Sequence, residues 1–319
     1  MTQYNYPVYP NFKPVQLEDA EFLHKWFKKY PLPINEYTFS TLYCWKVYGS
    51  YEWSIWEDFL FVLYTNPKDS THCSFWSPCG EGDWLKALNI ELQYLENCKS
   101  STVPVVRLIT EPYISYLNSS DSQYTVEVDD DNSDYIYNTN DLMYLKGRRY
   151  AKKRNLIKQF LNFYDADFKP LTPDLLPECL ELQKEWCLKK ECDEHGVLYY
   201  ENLAVKEALE NFVVLNLKGG VVFADKKIVG FTIGEELTPY MGVVHFEKAD
   251  TDYKGAYQYL AREFSKYFFK YPYLNREQDM GDESLKQAKQ SYFPCFKQTT
   301  YVISLKKFNN RINEIGSQI

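Results

Sequence analysis

Tyr271-Pro272-Tyr273-Leu274-Asn275-Arg276-Glu277-Gln278-Asp279-Met280-Gly281 changes character midway. Tyr271, Tyr273 and Leu274 suit a strand, and the five residues after them are all polar. A predicted strand over Tyr273–Asp279 puts Asn275, Glu277 and Asp279 on one face, with Arg276 and Gln278 on the other. Such a polar end fits the crevice where open α/β sheets hold ligands, or else an edge strand running into solvent. Asp282–Tyr292 follows as a short helix on which Leu285, Ala288 and Tyr292 share a face with Lys289. An ammonium there either snorkels to the surface or meets a carboxylate or an anionic ligand. Upstream, the strand Met241–Glu247 alternates Val243, His245 and Glu247 onto one face, where burial can tune a general base. A structural pairing of Glu247 with Arg276 is the simpler alternative.

Further out, Gly219-Gly220 opens a hairpin, Val221–Ala224 and Ile228–Glu235, turning at Asp225-Lys226-Lys227. Gly255 precedes a helix with Ala256, Leu260, Phe264 and Phe268 on one face, and Tyr301–Lys306 is the closing strand. The first half has the same order. A helix over Leu17–Tyr30 carries Leu17, Phe22, Trp26 and Tyr30, and strands follow at Asp58–Thr65 and His72–Ser77. Asp83 caps a helix reaching Asn97, with Trp84, Leu88, Leu92 and Leu95 on one side. Then come a strand at Val103–Thr110, a short helix at Glu111–Leu117 and a strand at Tyr124–Val128. Corresponding elements sit at similar separations: Trp84 to Ala256 is 172 positions, Val105 to Tyr273 is 168, and Thr125 to Tyr301 is 176. Element order repeats without residue identity, which favours a duplicated domain.

Of 319 residues, 36 are Lys or Arg and 44 are Asp or Glu, a net charge of −8 that disfavours broad attachment to polyanions. The charge is segregated, however. Glu127, Asp129, Asp130, Asp131 and Asp134 form an acidic stretch. Lys146, Arg148, Arg149, Lys152, Lys153, Arg154 and Lys158 follow, leading into a helix with Ile157 and Phe160. Consecutive positions point around a helix, so these bases do not share one face; a solvated helix paired with the acidic stretch is the plain expectation. Gly is scarce, 13 residues, which handicaps folds that cradle phosphates in Gly-rich loops. No run of apolar residues spans a bilayer and the first thirteen residues are no secretory signal, so a cytoplasmic protein with reduced cysteines is expected. Cys187, Cys192 and His195, and likewise His72, Cys73 and Cys79, lack the spacing of a zinc site; no metal is expected.

Two blocks carry a resemblance. The first is Asp134-Tyr-Ile-Tyr-Asn138 with Asp141-Leu-Met-Tyr-Leu-Lys-Gly-Arg-Arg-Tyr-Ala-Lys-Lys-Arg-Asn155. The second is His245-Phe-Glu-Lys-Ala249, Gly255-Ala-Tyr-Gln258 and Asn275–Gly281, followed by Ala288-Lys289, Ser291-Tyr292 and Pro294. Over roughly Leu17 to Lys306 the chain resembles a bacterial family similar to the C-terminal domain of phosphatidylglycerol lysyltransferases. The resemblance implies an α+β fold of two tandem GNAT-like domains, related to the Fem aminoacyltransferases. Each domain would be a mixed, mostly antiparallel sheet flanked by helices. The expected boundaries are 1–140 and 169–319, with a basic connecting helix at 141–168.

In the lysyltransferases an aminoacyl group moves from tRNA to a lipid hydroxyl. Carried onto this chain, Glu247 would aid deprotonation of the nucleophile. Arg276 and Lys289 would neutralise developing or phosphate charge, oriented by Glu277 and Asp279, with His245 and Tyr292 lining the substrate. Lys146, Arg148, Arg149, Lys152, Arg154 and Asn155 would contact the phosphates of a tRNA, a small molecule or a lipid headgroup. The lysyltransferases' membrane-embedded portion has no counterpart in this sequence. Asp252-Tyr-Lys-Gly-Ala-Tyr-Gln258 keeps one Gly where acyl-CoA loops bring several amides to a pyrophosphate, so acetyl-CoA or another acyl-CoA is only weakly supported. An acyl-CoA-dependent N-acyltransferase and a non-catalytic binding module are the alternatives.

Overall fold

The computed structural model describes residues 6–98, 103–117, 123–192 and 196–308. Backbone packing divides them into two units, each assembled from separate pieces of chain. The first takes the residues up to Asp19, Tyr48–Ser133, and those from Gln298 onward; the second takes Ala20–Val47 and Asp134–Lys297. These limits differ from the expected 1–140, 141–168 and 169–319, and the packing explains why. Phe39–Cys44 is buried at every position, and Ser40 donates to the Leu215 carbonyl within the second unit. The last strand pairs with Val105–Ile109 of the first.

In the first unit the strands are β1 (Lys13–Pro14), β2 (Ser50–Trp56), β3 (Phe59–Thr65), β4 (Cys73–Trp76), β5 (Cys79–Gly80), β6 (Val105–Ile109), β7 (Tyr124–Asn138, to Ser133) and β13 (Phe296–Leu305, from Gln298). Their order is β1-β2-β3-β4-β6-β13-β7 with β5 on β3, and β4–β6 is parallel. Helix α3 (Trp84–Cys98) lays Trp84, Leu88, Leu92 and Leu95 onto Phe59, Phe61 and Phe75, as its period predicts. Asp83 accepts from the Lys86 amide at 3.0 Å, the expected cap. Helix α4 is Glu111–Ile114. The acidic stretch lies in a strand that is longer than expected: β7 runs ten residues beyond Val128.

The second unit holds helices α1 (Ala20–Lys29), α2 (Phe39–Cys44), α5 (Thr139–Tyr144), α6 (Ala151–Phe163), α7 (Leu176–Lys189), α8 (Val197–Glu210), α9 (Ala256–Ser265) and α10 (Glu283–Gln290). Its sheet runs from the end of β7 through β12 (Tyr273–Asn275), β11 (Met241–Ala249), β10 (Lys227–Thr238) and β9 (Lys218–Ala224) to β8 (Ala166–Pro170). All neighbours are antiparallel except β11 and β12, which are joined by the crossover helix α9. Ala256, Leu260, Phe264 and Phe268 pack into the core with Phe160, as the spacing predicts. Asp225 and Lys226 both have positive φ, the type I′ geometry of a two-residue hairpin.

Three local expectations are corrected. On α1 the buried stripe is Ala20, Leu23 and Phe27, while Phe22, Trp26 and Tyr30 stack along a half-exposed flank. On α10 no residue is fully buried, so Leu285 and Ala288 make no core face. Cys187 and Cys192 form a disulfide at the end of α7, in place of the expected reduced thiols; His195 lies outside the described residues.

Candidate active site

The site grows from a parting of strands inside the second unit. β11 and β12 pair only at Met241–Tyr273, Gly242–Leu274 and Val243–Asn275. β11 then continues to Ala249 while the other chain leaves the sheet, Glu277 adopting φ 60. The expected alternation through Asp279 therefore fails after Asn275. A left-handed residue costs roughly 1–2 kcal/mol, and two long-range bonds and a local one hold this one in place. The Arg276 amide donates to the Tyr135 carbonyl at 3.0 Å, the Tyr135 amide to the Glu277 carbonyl at 3.1 Å, and the Glu277 amide to Asn275 Oδ1 at 2.7 Å. β11 carries its own irregularity: Val244 faces Gly234 and Phe246 faces Ile233, leaving His245 as the extra residue of a bulge.

Each polar residue of the segment has a separate partner. Asn275 Nδ2 donates to Asp134 Oδ2 at 2.6 Å, and the Asn35 amide and side chain donate to the same carboxylate at 2.9 Å. Burial raises the Asp134 carboxyl to about 6 against these donors. Arg276 Nη2 meets Glu247 Oε1 at 2.9 Å, both side chains 15% exposed. Glu277 Oε1 lies 2.8 Å from His245 Nδ1, and Glu235 Oε1 lies 3.0 Å from His245 Nε2. Gln278 accepts from Asn35 at 2.7 Å. Asp279 accepts from Tyr135 Oη at 2.6 Å and from the Gly281 amide at 3.0 Å, fixing the turn.

Burial works against the His245 cation, but its two carboxylates outweigh it and raise the imidazole to about 9. At neutral pH the ring is an imidazolium clamped on both sides, with its side chain 4% exposed. It cannot also act as a free base. Lys289 reaches back from α10 to donate to the Arg276 carbonyl. Burial and the Arg276 charge lower its ammonium to about 8, against Glu277, Asp134 and Glu247. Tyr292 is buried, its ring 4.7 Å from the Arg276 guanidinium, and its hydroxyl is hydrogen-bonded with Arg276 and Gln258.

The structure thus brings Glu247, Arg276, Lys289 and Tyr292 together, with His245 and Glu277 adjoining and Asp279 as a support. The other named bases sit on the exposed side of α6 and its approach. Lys146, Arg148, Lys152 and Asn155 are exposed. Arg149 pairs with Asp141 at 2.7 Å, and Arg154 caps the end of α5 through the Leu145 and Gly147 carbonyls. Within the acidic stretch, Asp129 meets Arg107, and Asp134 is buried. Lys153 alone among the seven bases turns inward. Its Nζ lies 3.9 Å from the Tyr292 ring centre and donates to Ser291 Oγ at 2.7 Å. Sequence reasoning does not single it out, although its spacing to Ile157 and Phe160 is helical. Glu235 and Asp134 escape it as well, because their partners are distant in sequence.

The loop before α9 is a poor phosphate cradle. Gly255 has φ +98, and a Cβ there would lie 2.3 Å from the Leu156 carbonyl of α6, so the glycine accommodates a helix backbone. The Asp252, Tyr253 and Ala256 amides donate within the loop at 3.0–3.2 Å. Asp250 and Asp252 flank it, tied to Lys189 at 2.7 and 2.6 Å. These residues do not fit the pyrophosphate of an acyl-CoA.

Mostly antiparallel sheets flanked by helices, with one parallel pair that parts at a polar site, define an acyltransferase-like fold of the GNAT and Fem type. A structure of FemX superposes with a TM-score of 0.59 over 96% of this chain and 99% of that one, at 7% identity. Residues 27–304 match the family described as phosphatidylglycerol lysyltransferase, C-terminal, and the chain belongs to that family. L-PGS from Bacillus licheniformis shares the fold at 13% identity and a TM-score of 0.64, covering 92% of this chain and 94% of that one. A conserved protein of unknown function from Bacteroides thetaiotaomicron is 32% identical, with a TM-score of 0.84 over 92% of this chain and 99% of that one. Among the described residues no helix is long and apolar enough to cross a membrane.

Proposed function

We propose that the second unit transfers an aminoacyl group from an aminoacyl-tRNA to a hydroxyl or amine of a phosphate-bearing acceptor, such as a small molecule or a lipid headgroup. The observation that carries this is the Glu247–Arg276 pair, set with Lys289 where β11 and β12 part. The acceptor oxygen or nitrogen attacks the ester carbonyl carbon and its proton passes to Glu247. The tetrahedral oxyanion is met by Arg276 and Lys289; the ester C–O bond then breaks, and the tRNA hydroxyl leaves with the proton from Glu247. His245, held by Glu235, positions Glu277 beside this centre. Exposed Lys146, Arg148 and Lys152 bind the tRNA phosphates. Such a donor would place the reaction in the cytoplasm.

The test is transfer of radiolabelled amino acid from a mixed aminoacyl-tRNA pool to cell-extract acceptors. Glu247→Gln should lower the rate by roughly a hundred- to ten-thousandfold, the usual contribution of a positioned base, with folding intact by circular dichroism. Equal rates in the variant would remove Glu247 from the chemistry. No transfer by the wild type from any aminoacyl-tRNA would remove the donor.

A further inference from the structure

The last turn of α7 is stapled. Cys187 is disulfide-bonded to Cys192, five residues on, and both are half-buried. Leu188, Lys189, Lys190 and Glu191 between them are exposed, so a reductant meets the bridge without unfolding the unit. Cys44, Cys73, Cys79 and Cys179, by contrast, are buried thiols, which such reagents do not reach. The bridge encloses Lys189, whose ammonium holds Asp250 at 2.7 Å and Asp252 at 2.6 Å. One turn earlier, Trp186 Nε1 donates to Tyr257 Oη at 3.0 Å, and Lys248 Nζ lies 3.9 Å from the Trp186 ring centre. Lys248 is also paired with Glu201 of α8 at 2.7 Å. The end of α7 thus grips the chain before and after the loop that leads into α9. Both grips adjoin the site: Lys248 follows Glu247, and Tyr257 precedes Gln258, which is hydrogen-bonded with the Tyr292 hydroxyl. Lys189 is 40% exposed, and an ion pair so placed is weak because ordering a long side chain opposes it. Closing the turn that carries Lys189 lowers that entropy loss.

We propose that Cys187 and Cys192 are a reversible thiol–disulfide exchange site, taking a dithiol as reductant and a small disulfide as oxidant. Through Lys189 the bridge sets how firmly the loop before α9 is held. The proposal rests on the transfer reading in one respect: a reaction fed by tRNA belongs in the cytoplasm, where a disulfide is transient. A thiolate of the dithiol attacks one bridge sulfur, the S–S bond breaks, and the other sulfur leaves and takes up a proton. The reductant's second thiolate then displaces the remaining cysteine from the mixed disulfide. Two electrons and two protons pass to the protein, and the dithiol becomes a disulfide. The small disulfide runs the exchange the other way.

The test treats the whole folded protein with dithiothreitol or with oxidised glutathione, then alkylates it and maps the peptides by mass spectrometry. Cys187 and Cys192 should label together after dithiothreitol and be bridged again after oxidised glutathione, with Cys179 unlabelled throughout. Hydrogen exchange over residues 250–258 should be roughly two- to fivefold faster in the dithiol form, the worth of an exposed ion pair. Cys192→Ser should match the reduced wild type under both treatments. Lys189→Ala should still form the bridge and exchange fast in both forms. A bridge that dithiothreitol leaves closed in the folded protein, or thiols that oxidised glutathione does not rejoin, overturns the site. Equal exchange of the loop in both forms, or a redox difference that survives Lys189→Ala, overturns its link to the loop. Redox-dependent exchange without aminoacyl transfer would sink the transfer reading and leave the switch standing. Transfer with a loop blind to the bridge would do the reverse.

Discussion

His245 shows how two carboxylates turn a titratable ring into a fixed cation. Its folded-state value of about 9 lies above the ordinary 6.5. The stabilisation it contributes is therefore complete below pH 6.5 and gone once pH rises through 9. Lys153 and Lys289 act in the opposite sense, and only between about 8 and the ordinary 10.5. Asp134 titrates lower, between 3.8 and about 6. In the window from pH 6.5 to 8 His245 thus stands apart from these three groups. Urea denaturation should show stability falling across that window, and His245→Gln should flatten the slope; an unchanged slope would show that the clamp is not charged. The types of these side chains were legible in the sequence, but their pairing was not. Glu277 leaves the strand alternation because the Tyr135 main chain, distant in sequence, grips Arg276 and Glu277, and no local pattern encodes that bond.

Among the elements, α6 and α9 show what a scarce glycine does. By composition the Gly255 loop resembles a weakened cofactor loop, and the structure gives its one glycine a packing task against Leu156. Gly255→Ala should cost roughly 2 kcal/mol or more, from the positive φ and the blocked approach together; a smaller effect by chemical denaturation would mean that α6 shifts freely. On the outer side of α6, replacing Lys146, Arg148, Lys152 and Lys158 with Ala should weaken tRNA binding. It should also flatten the salt dependence by roughly 0.7–0.9 in log–log slope for each phosphate left unneutralised. A salt-insensitive affinity in the wild type would exclude this surface as the tRNA-binding face. Element order in both halves was legible because helical and strand periods are local. The length of β7 was not, because Asp and Asn are poor strand formers by composition, whereas Ser133 and Asp134 are buried by hydrogen bonds to Asp129, Asn35 and Asn275.

At the scale of the whole molecule, the units are not consecutive stretches of chain. Asp134, in the second, draws two of its three hydrogen bonds from Asn35. A fragment of residues 134–297 should therefore fail to fold alone, and adding a peptide of residues 20–47 should restore its near-ultraviolet circular dichroism. A folded fragment without the peptide would show that the helical segment is dispensable. The duplicated element order was visible in the sequence. This interleaving was not, because spacing reports which elements occur and not which sheet or core receives them.

The interleaving has a consequence for synthesis. The strands β1 to β6 belong to a sheet that stays open until its last one, β13, emerges behind the whole stretch from Asp134 to Lys297. The second unit has all its residues once Lys297 has emerged, before the first does. On the ribosome most of the first unit's aromatic sheet is translated early yet must wait, half-built, for a strand that follows Lys297.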